Sequence, residues 1–265
     1  MLKHIQNMLL QKYNFMMLTN EYKIKSILIF NHIAVIVGLI FASPAWLLLS
    51  LVGWILINRV GGEIGLHRYF SHSSFKTTKW KEIMLFILAT FNCVGSPMMW
   101  VGIHRKHHAT SDTDHDPHGS QSILRVWSTF WKPFVIEPKY LIDMMRSPIH
   151  KFFHKHYFSL LIVTYVLLGL IAWQIPVFLI SMSSLITIHS AGLVNALCHR
   201  YGYRNFKTKD NSTNNTFINI ITLGSGLHNN HHAAPMNYSN KVKKYEFDFP
   251  AWIIENFLIQ DKKLC

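Results

Sequence analysis

The sequence predicts an all-α integral membrane protein, with four transmembrane helices in two hairpins and a cytosolic helical cap holding a di-metal site. Three observations predict it: two long stretches without a charged side chain, basic residues confined to the segments around them, and histidines packed into tight clusters beside the apolar stretches. Of the 265 residues 50% are hydrophobic and 15% charged, which excludes a disordered segment, a collagen and a disulfide-rich secreted module. The 26 Lys and Arg against 13 Asp and Glu leave a formal charge of +13, which suits nucleic acid or an anionic membrane face. A nucleic-acid surface would interleave its cations with every element. Here the charges are segregated from the apolar stretches, so no nucleic-acid partner is expected.

The first uncharged stretch runs for 33 residues from Ser26 to Asn58 and the second for 40 from Ser159 to Cys198. Each exceeds the roughly 20 apolar residues that one spanning helix needs, and each holds a helix breaker near its middle, Ser43-Pro44 and Pro176. Two hairpins result, with spans at about 26–42, 45–61, 158–174 and 177–198 in a single membrane domain, residues 1–265, and a cap of 62–157 and 199–265. The first hairpin leaves only about 16 residues per helix, so its helices are expected to run on past Lys25 or Arg59. Four Lys precede the first hairpin, thirteen Lys and Arg lie between Arg59 and Lys155, nine follow from Arg200, and neither hairpin tip has any. The positive-inside tendency then puts both termini and the long middle segment in the cytosol, of a bacterial inner membrane or an endoplasmic reticulum.

A third apolar stretch, Ile83 to Ile103, is long enough to span but is interrupted by Gly95-Ser96-Pro97, which favours a broken, partly embedded element. Two aromatic and basic stretches, Tyr140 to Phe158 and Phe247 to Ile259, read as helices lying in the membrane interface. Cys93, Cys198 and Cys265 have no CxxC spacing and suit a reducing compartment.

Three clusters stand out among the seventeen histidines: His67-Arg68-Tyr69-Phe70-Ser71-His72, His104-Arg105-Lys106-His107-His108 and His228-Asn229-Asn230-His231-His232. Spacings of i, i+3 and i+4 in the second and third put imidazoles within reach of one ion or a close pair. The five-residue gap in the first does not fit one helical face, so His67 and His72 flank a helix end or serve different ions. His199 closes the second hairpin, with Asn195 one turn before it. The lone His4, His32, His150, His154, His156 and His189 read as surface or packing residues.

Nine imidazoles exceed the four ligands of zinc and the six of an octahedral ion, so two ions are implied. Neutral nitrogen donors suit iron, copper, zinc or nickel, whereas magnesium and calcium want oxygen. The clusters must share one side of the membrane to meet, so Ile83 to Ile103 is not expected to cross it.

The boxes HRYFSH, HRKHH and HNNHH, in this order and flanked by these hairpins, resemble the membrane-bound fatty-acid desaturases, most closely the acyl-CoA Δ9 (stearoyl-CoA) branch. The similarity runs from about Gly62 to Pro235 and includes WVGIHRKHHATSDTDHDPH from Trp100 and LVNALCHRYGY from Leu193. The resemblance implies that His67, His72, His104, His107, His108, His199, His228, His231 and His232 are the catalytic iron ligands, holding two Fe2+ ions, with O2 as co-substrate. It gives Asn195 a contact to one metal through water and makes Trp100 line the acyl channel. Asp114, Asp116 and His118 match a segment beside the site, and Asp112 and Glu63 are candidates to fix imidazole tautomers.

The basic, aromatic run that follows Asp-Pro-His in acyl-CoA enzymes is replaced here by Gly119 to Arg125, and a bulky Thr-Trp pair by Ala191-Gly192, which join Trp100 as candidate walls for the acyl chain. The implied reaction introduces a cis double bond into a saturated acyl chain carried by coenzyme A, acyl carrier protein or phospholipid. Electrons are expected from a separate protein (cytochrome b5, ferredoxin or a similar reductase), because no His-Pro-Gly-Gly signature of a fused cytochrome b5 is present. A fatty acyl or lipid hydroxylase on the same scaffold is the nearest alternative. A histidine-rich membrane metal transporter is the alternative of another class, and only His32 and His189 lie mid-span to serve it.

Overall fold

The computed structural model describes residues 2–120, 122–129 and 136–260, with side chains from Tyr22 onward. It is helical, with isolated bridges in place of strands among the described residues. Four helices are long and apolar enough to cross a bilayer, at Tyr22–Phe41, Pro44–Ser71, Pro148–Ile171 and Gln174–Leu197. The first ends a longer helix, α1 (Leu2–Phe41), and the others are α2, α7 and α8. Their outward faces carry Phe30, Ile33, Ile36, Leu51, Val166 and Leu170 exposed, which suits lipid and not water.

The first hairpin turns at Ser43-Pro44 as its sequence predicts, with Ser43 Oγ accepting from Ala45 N. The second turns at Ala172-Trp173, and Pro176 falls inside the first turn of α8, where its missing N–H has no helical partner to lose. Helix α7 likewise starts ten residues before its uncharged stretch suggests, at Pro148 behind a Ser147 cap.

Buried polar side chains tie the spans together. Asn31 on α1 accepts from Tyr165 on α7 at 2.8 Å and from Ser181 on α8 at 2.9 Å, and donates to Ser184 at 3.1 Å. Asn58 on α2 donates to Thr187 on α8 at 2.7 Å, which donates on to Asn92 at 2.9 Å. In hydrocarbon such bonds substitute for the missing hydrophobic drive. Glycines set the closest approaches: a Cβ on Gly53 would sit 2.3 Å from Leu179 O, and one on Gly61 2.5 Å from the carbonyl carbon of Leu88.

Ile83 to Ile103 forms two short helices, α3 (Lys79–Thr90) and α4 (Pro97–Thr110). They join at a turn where Cys93 and Gly95 take positive φ, and Ser96 caps α4. The α3 backbone lies against the C-terminal half of α2, and at 12 and 14 residues each short helix falls below the roughly 20 residues a spanning helix needs. The cap adds α5 (Ile123–Thr129), α6 (Ile142–Arg146), α9 (Thr216–Ile221), α10 (His228–Ala233) and α11 (Phe249–Ile253, continued by Ile254–Leu258). Ile64, Phe70, Leu85, Phe86, Val101 and Ile254 form the apolar core beneath it. Of the two stretches read as interfacial, the second buries Ile254 and Leu258 in that core and exposes Trp252 and Phe257, and the first buries Met144 while exposing Ile142 and Phe152.

Candidate metal centre

The ends of α2 and α8 deliver the first imidazoles. His67 lies in the last turns of α2 and His72 is the residue on which that helix ends, so the pair flanks a helix end. Arg105 from α4 fixes this end by donating to the carbonyls of Phe70 at 2.6 Å and Ser71 at 2.9 Å, while Asp143 holds the guanidinium with two bonds of 2.7 and 2.8 Å. His199 follows the last turn of α8.

The ligand atoms gather into two groups, within each of which they lie no more than 4.8 Å apart: His67, His72, His104, His108 and His231 in one, His107, His199, His228 and His232 in the other. The two HxxHH boxes divide between them in opposite senses. Helix α4 sends its i and i+4 residues, His104 and His108, to the first group and His107 to the second; α10 sends His228 and His232 to the second and His231 to the first. Consecutive helix positions diverge by about 100°, so one turn can address two ions.

Four imidazoles are held from behind by carboxylates. His67 Nδ1 donates to Glu63 at 3.0 Å, His107 Nδ1 to Asp116 at 2.8 Å, His199 Nδ1 to Asp112 at 3.0 Å and His232 Nδ1 to Asp210 at 2.7 Å. The carboxylates are themselves braced: Arg68 bonds both Glu63 and Asp248, Ser225 donates to Glu63 at 2.8 Å, and Ser120 bonds both Asp112 and Asp116. These bonds put the Nδ1 proton outward and leave Nε2 a bare lone pair facing in.

Those inward nitrogens confront one another. His67 Nε2 lies 2.8 Å from His231 Nε2, His72 Nε2 2.9 Å from His104 Nε2, and His199 Nε2 3.0 Å from His228 Nε2. His107 Nε2 and His232 Nε2 are buried with no hydrogen-bond partner. Converging lone pairs repel unless a cation stands between them, and this donor set fits two transition-metal ions. Burial and neighbouring imidazoles hold His104, His108, His228 and His231 well below the ordinary histidine value, His232 at about 4 and His72 at about 2, so each ring is neutral at pH 7.

Trp100 lies flat on His104, 4.8 Å between ring centroids and 11° from parallel, one turn before it on α4. Asn195 is one turn before His199, its Nδ2 donating to Ala191 O at 2.9 Å. Gly192 faces Trp127 of α5, whose indole would lie 3.1 Å from a Cβ there, and Ala191 is the next residue on the same helix. Of the histidines read as bland, His32 and His189 pair at 3.3 Å, His154 meets Ser96 at 2.6 Å and His150 stacks on Phe86, while the side chain of His4 lies outside the described residues.

Two residues at the site carry little sequence signal. Asp210 stands 22 positions before the imidazole it holds, inside a lysine-rich loop. His118 is packed 4.7 Å from the His107 ring, and burial lowers it to about 3; its only sequence signal is the Asp-Pro-His segment it closes. A polar cleft of about 210 Å³ lined by Asp112, Ser120, His199, Arg200 and Asn211 adjoins the second group.

The family model for fatty acid desaturases matches residues 41–248. A sn-1 stearoyl-lipid 9-desaturase of Anabaena variabilis is 32% identical over 236 residues, 86% of each chain. A sn-2 palmitoyl-lipid 9-desaturase of a Nostoc species is 31% identical over 86% of this chain and 83% of its own. An acyl-CoA 5-desaturase of Anemone leveillei is 29% identical over 80% of this chain and 68% of its own.

Proposed function

Because the chain belongs to the fatty acid desaturase family, oxidoreductases that act on fatty acyl chains, we propose that it uses O2 to introduce a cis-Δ9 double bond into a saturated acyl chain. Two Fe2+ ions would be held by the nine histidines, one in the group of five and one in the group of four, with Asn195 reaching the latter through water. The observation that supports this reading is the convergence of nine imidazoles into two groups, with four of the rings oriented by carboxylates behind them. Iron held by these histidines would activate O2 as the oxidant for unactivated C–H bonds, which no side-chain base could attack.

The protein's own residues do the rest. Glu63, Asp112, Asp116 and Asp210 hold the Nδ1 protons and so fix each ring and raise its basicity. Burial of His104, His107, His228 and His231 keeps water from the reacting centre. Trp100, flat against His104, would offer an apolar wall to the reacting methylenes, and Ala191 and Gly192 on α8, the latter against Trp127, would help to set how far the chain reaches.

We infer an acyl group esterified to a membrane lipid. Two relatives that match over 86% of this chain act on lipid-linked chains by name, and the segment after Asp-Pro-His lacks the basic run of acyl-CoA enzymes. The whole chain would work as one membrane domain. Its histidine end and both termini would lie in the cytosol, where the Lys and Arg residues concentrate.

Expression in a host deficient in unsaturated fatty acids, with lipid mass spectrometry, tests the reading. A cis-Δ9 bond on glycerolipid chains, lost in His107→Ala, is expected. A hydroxylated chain would transfer the protein to the hydroxylases, and product confined to acyl-CoA would overturn the lipid assignment.

A further inference from the structure

A surface segment, 203–212, is bonded to the group of four through Asp210 and Asn229 and carries Arg204, Lys207 and Lys209; a second, 241–245, carries Lys241, Lys243 and Lys244, and all six cations are exposed. Tyr203 and Asn205 each donate to Glu246, at 2.8 and 2.7 Å, so the two segments form one surface.

Every acid among them is turned inward. Asp210 accepts from His232 Nδ1, Ser212 and Thr208, and Glu246 is buried, accepting from Asn230 and the backbone of Val242 and Lys243. The outward face is therefore cationic, interrupted by exposed Phe206 and Tyr245. It is also one side chain from the metal ligands: Asp210 joins the loop to His232, and Asn229, next to His228, accepts from the backbone of Asn205 and Phe206 and donates to Phe206 O.

Resting on the desaturase reading, we propose that this face docks an acidic one-electron carrier protein and passes its electrons through the 205–210 loop to the group of four. The balance demands such a partner: R–CH2–CH2–R′ + O2 + 2 e⁻ + 2 H⁺ gives R–CH=CH–R′ + 2 H2O, and the acyl chain supplies only two of the four electrons that O2 takes up. A carrier that delivers one electron at a time must dock and leave twice per turnover. That calls for a small, charge-steered contact and not a large apolar one. An anionic lipid would use the same charge, but it has no reason to sit on a loop that bonds a metal ligand.

The test uses the full chain in phosphatidylcholine nanodiscs with reduced soluble ferredoxin and, separately, the soluble haem domain of cytochrome b5. The variant is Lys207→Glu/Lys241→Glu/Lys244→Glu, with the Gln triple variant as the gentler pair. Carrier binding is titrated directly, and product formation is followed with the carrier and with dithionite. Binding and carrier-driven kcat/KM should each fall about tenfold at low salt and converge with the native chain at high salt, as steering by charge requires. Dithionite-driven product should be unchanged. Unchanged carrier binding in the variant, no binding of either carrier to the native chain, a parallel fall with dithionite, or a defect seen only when phosphatidylglycerol is present would each overturn the proposal. Absence of product from the native chain with either reductant would instead contradict the desaturase reading, while the binding titration would still decide the docking.

Discussion

His107 and Asp116 meet at 2.8 Å with both side chains fully buried, and the carboxylate is drawn tight from its other side by Ser120. Burial alone would raise this carboxyl; the hydrogen bonds it accepts from His107 and Ser120 outweigh that and keep Asp116 below the ordinary carboxylate range. The pair fixes which nitrogen of His107 faces the other three imidazoles of its group.

Asp116→Ala should therefore weaken metal binding at the group of four by about 10- to 100-fold while leaving the group of five loaded. Metal analysis after dialysis against a weak chelator should find about one ion per chain in place of two. Retention of both would show that the carboxylate does not orient its ligand.

Asp210→Ala makes the same test of a residue that the sequence hides. The histidine boxes, the hairpins and the broken Ile83 to Ile103 element are legible because they are local: period, charge and spacing lie within a few residues. Asp210 is not, since its bond to His232 spans 22 residues of loop and no periodicity announces it. Spacing also could not tell how each HxxHH would divide, because i, i+3 and i+4 share a broad face yet diverge enough to serve two ions. Pro176 misled the hairpin placement because a proline both breaks a helix and begins one. Asn195 loss should follow the Asp210 pattern in the group of four, with the smaller effect of a contact through water.

Acid should destabilise the metal-free protein steeply. A histidine held below its ordinary value binds its proton more readily when unfolded, so stability is full above about pH 6.5 and drains as pH falls beneath it. His104, His108, His228 and His231, each held well below the ordinary value, should all contribute to that loss between pH 7.5 and 5.5. Thermal unfolding of chelator-treated protein from pH 7.5 to 5.5 should show the fall, and metal-loaded protein should resist it. A flat profile in the metal-free form would contradict the buried, neutral cluster.

In the spans, Asn31→Leu removes three hydrogen bonds among α1, α7 and α8. A loss of about 1–2 kcal/mol is expected in unfolding by detergent, with metal content unchanged. Gly192→Val should press on the Trp127 indole, cost about 1–3 kcal/mol by overpacking and shift the chain length accepted; lipid analysis across C14 to C18 chains would read that shift.

Mössbauer spectroscopy on protein grown with ⁵⁷Fe, calibrated by metal content per chain, reaches the centre most directly. Two high-spin ferrous sites with nitrogen ligation, one of them lost in His228→Ala and the other in His72→Ala, are what facing groups of four and five imidazoles should give. A single iron per chain, or spectra untouched by either substitution, would contradict the two-metal centre.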